Sequence, residues 1–241
     1  MVIETYYIGA YWGRRKESLD QCALSAAQAL SELGQCDPLF SKWFELGFSR
    51  AEALAHEVEP SIDKVGSLLR SGQSKRYTDK SVITEAGYFF SLWTGGPDNE
   101  AANVTVRCGA DSPYITNVFL LNLPAEGKVA DRLLQVNALK RLLAVIARTF
   151  SPDWAVVNSY PHLKARGRKA RGKGAGPEVG WLTYLNSRLG TVPTLAGPAR
   201  VESIAGGSLI ILTEERFSFD REDHIDIAEG ITDRLEKNGT F

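Results

Sequence analysis

The chain of 241 residues is 44% hydrophobic and 24% charged, a composition that builds a buried core and excludes disorder as the default. Its net charge is −1, yet Lys164, Arg166, Arg168, Lys169, Arg171 and Lys173 put six of the 28 cations into ten residues and leave the remainder at −7, with 22 cations against 29 anions. Three irregularly spaced cysteines exclude a disulfide framework and a paired-cysteine metal knuckle.

Tyr6-Tyr7-Ile8-Gly9-Ala10-Tyr11-Trp12 reads as a strand, being rich in aromatic residues, and Gly13 ends it before Arg14, Arg15 and Lys16. Leu19, Cys22, Ala23, Ala26, Leu30 and Leu33 then recur at helical spacing, with Gly34 where a C′ glycine belongs. Asp37 and Pro38 form a helix start, and Leu39, Phe40, Trp43 and Phe44 predict a short helix with an aromatic face. Ser49 and Glu52 have capping-box spacing. A further helix is expected from residue 60 or 61 to Gly72, carrying Ile62, Val65, Leu68 and Leu69.

The period then changes from helical to alternating. Tyr88, Phe90 and Leu92 alternate with Phe89, Ser91 and Trp93, and a turn-rich stretch follows at 94–99. Val104, Val106 and Cys108, then the apolar run 118–123, complete three strands of an antiparallel meander. Val129, Leu133, Val136, Leu143, Ile146 and Phe150 predict one long amphipathic helix. Further strands are expected at 154–157, 180–185 and 201–204, and the unbroken Leu209-Ile210-Ile211-Leu212 belongs inside the sheet. Asp220 is the expected cap of a last helix through Ile227, Ile231 and Leu235. Strands and helices segregate, so the fold class is α+β. The reading is a largely antiparallel sheet with helices packed against it, a single domain over 1–241, and a flexible basic loop at about 162–178.

The search for chemistry returns little. Gly167 to Lys173 begins like a phosphate-binding loop, but Gly174 replaces the magnesium-binding hydroxyl and Pro177 stands where a helix should open. Asp98, Glu126 and Lys128 imitate a metal-dependent nuclease signature, although all three fall in turns or loops, where ligand geometry is poorly fixed. His56, His162 and His224 match no zinc or hydrolase spacing. No catalytic residue, cofactor or metal site is therefore expected. The basic stretch could contact nucleic acid by counterion release, but it lacks stacking rings, so no direct nucleic-acid partner is expected. No apolar run is long enough to span a bilayer and no signal-like segment opens the chain, so no membrane partner and a cytoplasmic location are expected. Trp12 and Trp43, in aromatic amphipathic surroundings, are read as holding the fold.

Tyr7-Ile8-Gly9-Ala10-Tyr11-Trp12-Gly13 with Arg15, Glu17 and Ser18 resembles the start of the immunity protein 52 family of bacterial polymorphic toxin systems. Asp37-Pro38 with Trp43, Phe90-Ser91-Leu92-Trp93, Gly180-Trp181-Leu182-Thr183-Tyr184-Leu185 and Glu215-Arg216-Phe217 extend the resemblance in order along the chain. It implies an α+β protein without catalysis that neutralises a cognate nuclease toxin of the restriction-endonuclease-like class, in interbacterial competition of the type VI secretion kind. The basic stretch is not part of the family pattern. Charge complementarity to a nuclease groove and its metal-binding carboxylates makes Arg14, Arg15, Asp98, Glu100, Arg166, Arg168, Lys169 and Arg171 the candidate toxin contacts. The alternatives are the metal-dependent nuclease using Asp98, Glu126 and Lys128, and a nucleic-acid-binding module using the basic loop.

Overall fold

The computed structural model describes residues 3–169, 177–195 and 197–239, with the backbone alone for 166–169. Its described residues form seven α-helices and a ten-stranded sheet, the α+β class that the segregated pattern predicts. The chain divides into two compact units, Tyr11–Leu121 and Met1–Ala10 with Asn122–Phe241. The first strand, β1 (Tyr6–Trp12), carries residues of both.

In the unit Tyr11–Leu121, α1 (Leu19–Cys36) opens on a capping box: Gln21 N donates to Ser18 Oγ at 3.2 Å and Ser18 N to Gln21 Oε1 at 2.8 Å. It does not stop at Gly34. A β-carbon there would lie 3.2 Å from the Phe40 carbonyl oxygen, so this glycine serves close approach to the next turn, not a C-cap. Asp37 caps as expected, its Oδ1 accepting from Leu39 N at 2.9 Å, but only a 3₁₀ turn, Pro38–Ser41, follows.

Trp43 and Phe44, expected on a helix, lie in β2 (Trp43–Glu45). They pair with β3 (Glu57–Val58) and with β4 (Tyr88–Trp93), so sheet partners distant in sequence override the local helical spacing. Between β2 and β3 lies α2 (Arg50–Leu54). α3 (Ile62–Ser71) is capped by Ser61, at the expected start, and packs on α1 and β4. The meander is completed by β5 (Asn103–Cys108) and β6 (Asn117–Asn122), and strand order in this unit is β3-β2-β4-β5-β6.

In the other unit the expected long helix is two, α4 (Gly127–Leu133) and α5 (Val136–Phe150). Leu133 and Leu134 are both buried. Neighbours on one helix point about 100° apart, so breaking the helix at Leu134 lets both turn inward. Then come β7 (Trp154–Ser159), α6 (Tyr160–Lys169), β8 (Leu182–Asn186), β9 (Arg200–Ile204), β10 (Gly207–Ile211) and α7 (Glu222–Lys237). The order is β1-β7-β8-β10-β9, which places β10 between two partners with Leu209, Ile210 and Ile211 fully buried, as its unbroken apolar run predicts. The last helix begins two residues beyond Asp220, with Glu222 and Asp223 in its first turn.

The expected basic loop is helical as far as Lys169, because lysine, arginine, alanine and leucine are good helix formers and one glycine costs only about 1 kcal/mol. Arg171, Lys173 and the remainder of the phosphate-loop-like run up to residue 176 lie outside the described residues. No helix among the described residues is long and apolar enough to cross a membrane.

Candidate functional site

β4 and β5 pair Phe89 with Arg107, Ser91 with Thr105 and Trp93 with Asn103. Strand alternation sends Phe90, Leu92, Val104 and Val106 to the buried face, so these three pairs share the opposite face of the sheet. That face is knitted by its own side chains. The Arg107 guanidinium lies 5.5 Å from the Phe89 ring centre, and the Ser91 and Thr105 hydroxyls are 2.8 Å apart.

At the Trp93–Asn103 end a cavity of about 480 Å³ opens, lined by Leu46, Ser91, Trp93, Asp98, Asn103 and Thr105 among others. The indole Nε1–H of Trp93 is buried without a hydrogen-bond acceptor among the described residues. An unmet buried donor costs about 1–3 kcal/mol, and this one belongs to a residue that lines the cavity.

Two built turns form the rim. On one side, Leu46 is 63% exposed and Phe48 is 103% exposed. Phe48 is nevertheless held at its backbone: its N–H donates to Glu52 Oε2 at 2.9 Å, and Ser49 caps α2 by accepting from Glu52 N at 3.2 Å. Gly47 fits here because a β-carbon would come 2.9 Å from Ala53 N. Phe48 occupies N′, where an apolar side chain ordinarily folds back on N4. N4 is Ala53, which is buried and too small to hold the ring.

On the other side, Glu100 N and Ala101 N both donate to the Pro97 carbonyl, at 3.1 and 3.0 Å, and present Asp98 and Glu100 to solvent. Neither carboxylate has an ion-pair partner among the described residues. Arg50 is engaged, donating from Nη2 to the Gly95 carbonyl at 3.1 Å.

The other expected contacts are placed elsewhere. Arg14 Nε binds Asp111 Oδ1 at 3.1 Å; Arg15 lies 5.3 Å from the Trp12 ring centre and 3.8 Å from Glu17. Buried Asn117 positions this corner, accepting from Ala110 N at 2.8 Å and donating to the Gly13 carbonyl at 2.8 Å. Asp111 follows the Cys108 end of β5, while the cavity is at its Asn103 end, roughly 17 Å away along the strand. Arg14 and Arg15 therefore do not join Asp98 and Glu100 in one site.

Arg166, Arg168 and Lys169 fall on the backbone of α6, in the other unit, and Arg171 is among the residues not described. The root of α6 is anchored by polar contacts. Tyr7 donates to Glu178 Oε1 at 2.6 Å, Tyr160 donates to Asn122 Oδ1, and His162 Nδ1 is 2.9 Å from Asn158 Oδ1. Burial pushes the Tyr160 phenol up from its ordinary value, so it stays a neutral donor.

Of the residues named for the nuclease alternative, Glu126 and Lys128 stand at the start of α4, and Asp98 in a turn of the other unit. Among the described residues no three His, Cys, Asp or Glu side chains gather into a metal-holding group. Trp12 and Trp43 are buried, consistent with a role in the fold. Leu46, Phe48 and Trp93 were not expected as site residues. The capping-box spacing of Ser49 and Glu52 says nothing of the Phe48 ring, and in the structure Glu52 reaches back to Phe48 N.

Comparison with known proteins bears on the whole chain. Among solved structures, Pseudomonas aeruginosa T6SS protein PA0821 is similar at a TM-score of 0.51 and 14% identity, covering 95% of this chain and 73% of that one. At that identity the likeness shows a shared fold. No curated protein matches. The family model described as Immunity protein 52 matches residues 4–241, the span over which the sequence resemblance was drawn and beyond. This chain belongs to the Immunity protein 52 family.

Proposed function

We propose that this protein binds and neutralises a cognate nuclease toxin of the restriction-endonuclease-like class, protecting the cell that makes it during competition between bacteria. The family match over residues 4–241 carries the proposal. The similar fold of a T6SS protein is in keeping with that setting. The work is done by binding, with no chemistry of its own. A toxin that must grip a nucleic-acid backbone offers a cationic groove, and a tight complex that covers the groove denies it substrate. The chain acts in the cytoplasm, where the substrate is.

Charge sets the speed of that capture. Apart from the six clustered cations the chain carries −7, which attracts a basic partner over a Debye length of about 8–10 Å at physiological salt. Co-expression tests the proposal: bacteria carrying the toxin survive when this chain is present and die when it is absent. Equal killing in both cultures would sink it.

A further inference from the structure

We infer that the surface formed by Leu46, Phe48 and the cavity beside Trp93 is where this protein holds its toxin, an inference that rests on the immunity reading. The occupant is a cationic protein surface that inserts an arginine or lysine side chain into the cavity and receives Phe48 in an apolar recess.

Three independent features of the surface converge on that chemistry. Phe48 is 103% exposed although its backbone is fixed by Glu52 and the Ser49 cap, so the ring is held out in water. On a fixed backbone an aromatic has only two side-chain torsions left to order on docking, which is what suits such rings to be anchors of interfaces. The cavity then offers both halves of a long basic side chain their partners. Leu46 and the Trp93 ring suit its aliphatic stem, and the carboxylate of Asp98 its charged head. Asp98 and Glu100 also carry no ion pair among the described residues, whereas Arg50 is bound to the Gly95 carbonyl and Arg107 lies over Phe89. Arg50 keeps its charge, but around the rim Glu52, Asp98 and Glu100 outnumber it three to one, which favours a cationic partner.

The probe is the toxin domain whose killing this chain suppresses on co-expression, made catalytically inactive and titrated against purified variants. Leu46→Asp with Phe48→Asp should weaken binding by at least about thirtyfold, mainly through faster dissociation. Asp98→Lys with Glu100→Lys should weaken it at least tenfold at low salt, mainly through slower association. All four side chains are exposed, so circular dichroism and the thermal midpoint should match wild type. Hydrogen exchange on the wild-type complex should slow at 46–52 and 94–103.

Undiminished binding by the Leu46/Phe48 variant, or protection confined to other segments, overturns the surface and leaves the immunity reading intact. A free dimer in sedimentation that Phe48→Asp dissolves, with toxin binding unchanged, assigns the face to a second copy of the chain and overturns it as well. A wild-type chain that binds no toxin defeats the reading and the surface together.

Discussion

At Gly72 a β-carbon would lie 1.7 Å from the Phe89 carbonyl oxygen, a contact that only movement of backbone could relieve. Gly72→Ala should therefore cost about 3 kcal/mol or more, the upper end of overpacking. The measurement is the urea midpoint at constant m-value. Gly230, inside α7, is the counterpart: nothing lies within 4 Å of its virtual β-carbon. Gly230→Ala should raise stability by up to about 1 kcal/mol through helix propensity. A Gly72→Ala protein as stable as wild type would show that α3 and β4 do not meet as closely as described. At this scale the sequence was only partly legible. Gly72 is readable as a helix stop, since that is a local property, but its contact with Phe89 joins residues far apart in the chain. Phe48 was not legible for the same reason: its exposure is decided by neighbours in three dimensions, which leave the ring in water.

Elements with strong local signals were legible. Capped helices such as α1 and α3 and alternating strands such as β4 and β5 stand where the pattern puts them. β2 was not, because Trp43 and Phe44 fit a helix face locally and are claimed by pairing with β3 and β4. Nor was the break between α4 and α5, which has no glycine or proline to announce it.

β9 is an element with a pH-dependent attachment. Glu202 accepts from Lys140 Nζ on α5 and from Arg200 Nε at 2.9 Å, and these partners, Lys140 foremost, hold its carboxyl below the ordinary 4.5. A depressed folded pKa contributes stability that is complete above the ordinary value and is lost as pH falls through the depressed one. Glu202 is 33% exposed at its side chain, so Glu202→Gln should cost about 1 kcal/mol at pH 7. That difference should shrink below pH 4.5 and vanish once the wild-type carboxyl is protonated. Urea midpoints of both proteins at neutral and acidic pH check this, and a gap that widens in acid would contradict it.

For the whole molecule the family was legible because its signature is spread along the chain, whereas charge alone could not say which residues share a surface: it nominated ones at opposite ends of β5 and on a different unit. Net charge near zero conceals the segregation of six cations from a body at −7. Association with a basic toxin should consequently slow as salt rises from low to several hundred millimolar, by tenfold or more, while dissociation changes little. Stopped-flow mixing separates the two rates. A salt-independent association rate would mean that the segregated charge does not steer the encounter.

The strand order ends on β3, two residues long, and on β9, whose Arg200 and Glu202 are tied into ion pairs with neighbouring side chains. A two-residue margin is too short to template another strand, and charged side chains such as those of β9 are the ordinary means of discouraging pairing at an exposed edge. Both devices work against edge-to-edge association of copies of the chain. With one margin cut short and the other charged, a concentrated solution of this chain meets a penalty at each place where its sheet could grow.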